Sequence, residues 1–418
     1  MTRAMSFSAP WPARLLLLAL PALLAAFAGV AAVGSPGSFG EVVHDLRIEL
    51  SADSVAALKS NPRSYVHARV QADGQAWPEV AIHLKGATGS FRPLDDKPGL
   101  TLDFDRFVRG RDFLGMTKVH LNNSVEDPSY LCELIGGELF RAAGIPAAGT
   151  GHAVVHLNGR RLGLYVLQEG FDREFLKREL PGAEGVVLEP ARGQDVDGLM
   201  QAHAQRGSPP PDGALEALAA AAQETDPTKR WERLSAVLDM DRFIRFMAVE
   251  VMIGHRDGYS LAKNNFRVLL PSPPQRAVFL PQGMDQLFQI ADVPWEPNLA
   301  GLVARAVLDT PQGRQRYEES FATLLPALLQ FPRLSDRIDA VSARLCKAAT
   351  WSESAELRQE AALLKEHVRL RAAALDRQLK SSSRPLADSK NLPLLPPSAR
   401  VSHTHRDQAL EFADHATY

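Results

Sequence analysis

The chain has 418 residues, 45% of them hydrophobic, with 47 basic and 49 acidic side chains and a formal charge of −2. That apolar fraction can fill a sizeable core and excludes a disordered chain, and the even charge leaves no basic face for nucleic acid and no acidic tail. Two cysteines, Cys132 and Cys346, are too few for a disulfide framework; two buried thiols or one long-range bridge are the options, and no paired Cys/His spacing supports zinc.

In chain order, Arg3 and Arg14 precede an apolar run over residues 15–33 that ends in small side chains. This reads as a secretory signal peptide (1–33), so the protein is expected to be exported: secreted, periplasmic or on the cell surface. The run approaches bilayer-spanning length, so an uncleaved N-terminal anchor is the alternative and the one membrane contact expected. Residues 42–50 alternate apolar and polar, as a strand does, and a short helix follows over 52–59. Two further strands, 65–71 and 79–85, are joined through the Asp73-Gly74 turn.

A small-residue turn, Lys85 to Gly89, comes next, and Lys97 leads into a strand over 99–105. Residues 114–122 precede a helix that Asp127 caps and Pro128 opens, running to about 143 and stopped by Gly144 and Pro146. Strands 152–157 and 162–167 flank Asn158-Gly159, a strong hairpin signal. Beyond Glu169 the pattern turns helical at 173–178, 214–223 and 240–253, is interrupted by strands at 265–270 and 277–281, and resumes at 314–329, 333–348 and 354–379. The fold class is therefore α+β, with an antiparallel sheet lobe over about 40–168 and a larger helical lobe over about 169–380. A Ser/Pro-rich tail from 381 to 418 is expected to be flexible.

Chemistry-bearing residues gather at the β interruption. Asp257 follows the helix ending at Ile253, Asn264-Asn265 open the next strand, and Asp285 follows the strand after that. Two carboxylates and a carboxamide around a hairpin suit a hard divalent cation and the orientation of a nucleophile. The His255-Arg256-Asp257 triplet is not decisive alone, since it recurs at His405-Arg406-Asp407. Asp195-Val196-Asp197-Gly198 begins like a calcium loop but lacks the later ligands and reads as a turn. No Walker A sequence, nucleophile elbow or HExxH is present.

Taken in order, several stretches over about 42–379 resemble the CotH kinase-like family of the spore coat type. They are Lys97 with the strand at 100–104, DPSYLCELIGGELFR from Asp127 to Arg141 followed by Gly144-Ile145-Pro146, and Leu157-Asn158-Gly159. Gly163 to Glu169 (GLYVLQE), Asp257-Gly258-Tyr259 with Asn264-Asn265-Phe266, and PQGMDQLF from Pro281 to Phe288 complete the set. The resemblance implies an atypical protein-kinase-like fold that binds ATP and Mg²⁺ or Mn²⁺ between its lobes. It implies phosphate transfer to serine or threonine of surface or extracytoplasmic proteins. By the same resemblance Lys97 meets the nucleotide phosphates and Glu133, or else Glu138, pairs with it. Residues Gln168 to Gly170, Glu169 among them, lie beside the adenine, Asp257 positions the acceptor hydroxyl, and Asn265 and Asp285 bind the metal.

The chain also departs from the family. Gly283 stands where the first metal-binding carboxylate usually is, and the phosphate turn reads Lys85-Gly86-Ala87-Thr88 instead of Arg-Gly-Asn-Ser. A catalytically degenerate surface-assembly protein is accordingly the alternative reading.

Overall fold

The computed structural model describes residues 39–381 apart from 88, 192, 199, 203–212 and 273–274. The leader (1–33), the tail from 382 onward and Thr88 of the phosphate turn lie outside the described residues.

Seven strands form the first half: β1 (Val43–Glu49), β2 (Val66–Ala72), β3 (Gln75–Lys85), β4 (Gly99–Asp103), β5 (Lys118–Asn122), β6 (Thr150–Leu157) and β7 (Arg160–Glu169). Period-two patterning places Leu46 and Ile48 of β1 inside while Arg47 and Glu49 face out. Leu46, Ile48, Val70, Ile82, Leu102, Leu121 and Tyr165 fill one continuous apolar core. The strands close into a barrel in the order β1-β2-β3-β4-β5-β7-β6. Closure comes from the parallel pairing of β1 with β6, from Val43 opposite His152 to Ile48 opposite Leu157. The expected sheet is thus a closed barrel with one parallel seam. Alternation tells which face of a strand is buried, but not which distant strand it pairs with.

Helix α1 (Ala52–Ser60) follows β1, and α2 (Cys132–Ala142) lies between β5 and β6. Helix α2 starts at Cys132, not at Pro128, so Leu131 and not Asp127 is its N-cap residue, although the Asp127 side chain still reaches the first helical N–H. One carboxylate oxygen accepts from the Cys132 N–H at 2.8 Å and the other from the Ser129 N–H at 3.2 Å, across a turn in which Tyr130 takes φ +61°.

The second half holds nine helices among the described residues: α3 (Arg173–Glu179), α4 (Ala214–Ala222), α5 (Pro227–Val237), α6 (Met240–Met252), α7 (Tyr259–Ala262), α8 (Leu302–Leu308), α9 (Pro311–Leu328), α10 (Phe331–Ala348) and α11 (Trp351–Lys380). A four-stranded sheet is set among them in the order β11-β10-β8-β9, formed by β8 (Gly185–Pro190), β9 (Met200–Ala202), β10 (Phe266–Pro271) and β11 (Val278–Pro281). The sequence pattern marks β10 and β11 but not β8, β9, α5, α7 or α8, although Asp226 caps α5 and Pro227 opens it. Phe243, Phe246, Tyr259, Phe266 and Phe279 stack into an aromatic centre that joins this sheet to α6.

Both cysteines are free thiols, Cys132 buried and Cys346 half-buried. Among the described residues no helix is long and apolar enough to cross a membrane.

Candidate functional site

A cleft of about 1890 Å³ runs between the barrel and the β8–β11 sheet, lined from both sides by polar and charged side chains. Its barrel wall begins with Lys85, the last residue of β3, after which Gly86 takes φ +111° and turns the chain. The Lys85 ammonium donates to Asn122 Oδ1 on β5 at 2.5 Å. Glu133, in the first turn of α2, is held from two sides. Its Oε1 accepts from the Met284 N–H at 3.0 Å and its Oε2 from Gln168 Nε2 at 3.1 Å, so one carboxylate joins α2, the end of β7 and the loop carrying Asp285.

The electrostatics of this corner follow from burial and from unequal charge. Desolvation lowers the Lys85 ammonium to about 8; Glu133, Asp285 and Glu189 pull it up, and the Arg267 guanidinium pushes it further down. Desolvation also raises Glu133 to about 7, with Lys85 and the Met284 N–H holding it back. Asp285 is pushed well above the usual carboxylate range, first by burial and then by the negative fields of Glu133, Glu126 and Asp127. Carboxylates crowd this corner more than cations do, so an added cation would be drawn to it.

On the opposite wall, α6 ends at Met252 and the chain turns through Gly254. His255 is buried and donates from Nε2 to the Gln282 carbonyl at 3.0 Å; burial lowers it to about 4, so the ring is neutral. Asp257 Oδ2 accepts from Asn264 Nδ2 and Asn265 Nδ2, each at 3.1 Å, and Asn265 Nδ2 also meets the Gly283 carbonyl at 3.1 Å. Buried Glu250 of α6 supports the same turn: its two oxygens accept from the Tyr259 and Ser260 N–H groups at 2.9 and 2.8 Å. Beneath it, the fully buried Arg371 of α11 donates to the carbonyls of Val251, Met252, Ala291 and Val293. The segments bearing Asp257 and Asp285 are therefore fastened to one guanidinium.

The cleft brings together Glu133, Asp257, Asn265 and Asp285 of the expected set. Lys97 and Glu169 lie elsewhere. Lys97 donates to the Tyr130 hydroxyl at 2.5 Å, with its ammonium 4.9 Å from the Tyr130 ring centre and 5.2 Å from that of Tyr165. Glu169 is buried in a two-pronged ion pair with Arg178, at 2.7 and 2.5 Å, and also accepts from the Gly149 N–H. Its neighbour Gln168 lines the cleft instead, because successive residues of a strand point to opposite faces. Glu138 pairs with Arg337 on α10.

Of the lysines that line the cleft, the one beside Glu133 and Asp285 is Lys85, in the small-residue turn that the sequence already marks after a strand. Sequence reasoning gave no sign of Asn122, Glu250 or Arg371, whose partners are brought near only by the fold. Asp195, read as a turn residue, ties Tyr259 OH at 3.0 Å to the Leu302 N–H at 2.7 Å.

Gly283 takes φ +58°, and a Cβ added there would meet Asn265 Cγ and Nδ2 at 2.5 Å. An acidic side chain at 283 does not fit beside Asn265 as it stands. Among the described residues no three His, Cys, Asp or Glu side chains gather as a metal cage. A hard cation here would take one carboxylate, Asp285, and the Asn265 carboxamide oxygen as its protein donors, with substrate phosphates making up the rest, as Mg²⁺ commonly does. The residues present fit such an ion.

Residues 82–375 match the family model described as CotH kinase protein. The chain belongs to the CotH kinase family. Among curated CotH proteins, Invasin CotH2 of Rhizopus delemar is 23% identical over 280 residues, covering 59% of this chain and 47% of that protein. The chain thus spans about half the length of that curated relative.

Proposed function

We propose that this CotH-family chain is an exported, atypical kinase-like phosphotransferase. It transfers phosphate from ATP to serine or threonine hydroxyls of surface or extracytoplasmic proteins, with barrel and helical half in the roles of the two kinase lobes. One observation carries the reading: Lys85 and Glu133 on the barrel side face Asp257, Asn265 and Asp285 across a single cleft. Phosphoryl transfer needs positive charge on the donor phosphates, a carboxylate beside the attacking oxygen and compensation of developing charge. Lys85, oriented by Asn122 and by the field of Glu133, supplies the first, and takes the role that the family resemblance assigns to Lys97. Asp257, its carboxylate fixed by two carboxamides, orients the acceptor hydroxyl and receives its proton. Asp285 and Asn265 would hold Mg²⁺ or Mn²⁺, which when bound screens the phosphate charge. Export and a surface location rest on the apolar leader and on the name invasin borne by the relative.

The departure at Gly283 favours a second reading, a surface-assembly protein that keeps the fold without transfer. Phosphate incorporation by the folded protein with Mg²⁺ or Mn²⁺, compared with Asp257→Asn, separates the two. Metal-dependent incorporation that disappears in the variant is expected; equal incorporation in both, or none in wild type, would overturn the kinase reading.

A further inference from the structure

The barrel wall of the cleft beyond Lys85 is polar along a whole row of the sheet. His83 of β3 lies opposite Thr101 of β4, Thr101 opposite His120 of β5, and His120 opposite Gln168 of β7. All four line the cleft. Thr101 Oγ1 and His120 Nδ1 are 3.0 Å apart, and the next row adds Asp103 opposite Lys118, with 3.7 Å between their charged groups. The levels on either side of this row at Leu84, Leu100, Leu102, Val119 and Leu121 belong to the barrel interior, so the sheet is apolar inward and continuously hydrogen-bonding outward.

The chemistry of His83 is fixed by its neighbours. Its Nδ1 sits 2.8 Å from the Leu84 carbonyl and must carry the proton, which leaves Nε2 of the neutral ring as an acceptor. Burial, with Arg63, Lys118 and Lys85 nearby, keeps that ring neutral. Asp103 is a second acceptor on the same wall. His83 is two residues before Lys85 on the same face, a separation of about 6.6 Å along the strand. A ligand with its phosphates at Lys85 that extends back along β3 lays its non-phosphate part over this row.

We infer that the row His83–Thr101–His120–Gln168, with Asp103, is a specificity-determining surface that reads the nucleoside part of the phosphate donor by hydrogen bonds. The ligand must bring donors to this wall, as the ribose hydroxyls and an exocyclic base amine do. Inorganic tripolyphosphate brings none. The inference rests on the phosphotransfer reading of the cleft, and its test is built to fail separately from that reading.

The test is calorimetric binding of ATP and of inorganic tripolyphosphate, each with Mg²⁺, to the full chain and to the Thr101→Val and His83→Leu variants. Thr101→Val keeps side-chain volume and removes the hydroxyl that meets His120, and circular dichroism verifies that each variant is folded before binding is compared. The expected result is that wild type prefers ATP. Each variant should lose roughly tenfold in ATP affinity, the worth of one buried hydrogen bond, while tripolyphosphate affinity is unchanged. Wild type binding both ligands equally, or variants binding ATP as wild type does, would overturn the row's role and leave the phosphotransfer reading standing. Wild type that is folded by circular dichroism yet binds neither ligand would overturn both. A variant that loses both ligands in parallel would also count against the inference, because a reader of the nucleoside leaves the phosphate end intact.

Discussion

Two corners of the barrel each hold a half-buried lysine whose proton affinity burial lowers to about 8, and only one of them opens on the cleft. At the first, Lys85 faces Glu133 and Asp285, carboxylates delivered by α2 and by the loop after β11. At the second, Lys97 is enclosed by Tyr130 and Tyr165 and feels Glu353 and Asp96 at a distance. A perturbed lysine alone is thus no mark of a phosphate site. What distinguishes Lys85 is the convergence of opposite charge from separate elements, which gives a ligand charge to exchange with. Lys97 is a packing residue that fastens the approach to β4 onto the start of α2.

The sharpest break between the corners is in transfer rate. Lys85→Met is expected to lower phosphate incorporation by about 10²-fold or more, while Lys97→Met leaves it essentially unchanged. The reverse pattern would exchange the roles of the two corners.

Next in size is acid stability, for each corner has its own buried neutral histidine: His255 at the cleft and His152, bonded to the Tyr130 carbonyl at 2.7 Å, behind Lys97. Both are lowered to about 4 from 6.5. Their contribution is present above pH 6.5 and is lost as pH falls toward 4, at a cost of up to about 3 kcal/mol each. The raised carboxyls of Glu133 and Glu250 act oppositely, their stabilisation being fully present at low pH and lost as pH rises through about 7. In denaturant titrations from pH 7 to 4, His152→Gln and His255→Gln should each flatten the fall in stability. Only His255→Gln should also reduce transfer.

A smaller effect is expected at Gly283. Gly283→Ala places a Cβ against Asn265 at positive φ and should cost about 1–3 kcal/mol, with reduced transfer as Asn265 moves. An unchanged unfolding midpoint would show that the Asn265 amide is not held as described. Smallest is the stability of the closed corner, where Lys97→Met should cost about 1–2 kcal/mol from the lost hydrogen bond and ring contacts, read from the same unfolding midpoint.

Much of the fold could be read from the chain because its signals are local. Alternation in β1, the Asn158-Gly159 hairpin and the apolar periodicity of α6, α10 and α11 each depend on neighbours in sequence. Barrel closure could not, since β1 and β6 identify each other only in space. The site divides in the same way. Asp257, Asn265 and Asp285 sit around one hairpin and were recognisable together, whereas Lys85 and Lys97 flank the same stretch and look alike as letters. Choosing between them required knowing that the fold brings Lys85 beside Glu133 while Tyr130 and Tyr165 enclose Lys97. Arg371 gave no sequence signal because its acceptors are backbone carbonyls more than 70 residues distant.

Whether Lys85 and Asp285 hold the phosphate donor is decided by a crystal structure of the protein with a non-hydrolysable ATP analogue and Mg²⁺. Triphosphate density against Lys85, the metal on Asp285, and an open approach from the terminal phosphate to Asp257 are expected. Phosphates seated at Lys97, or a nucleotide bound outside this cleft, would contradict this placement.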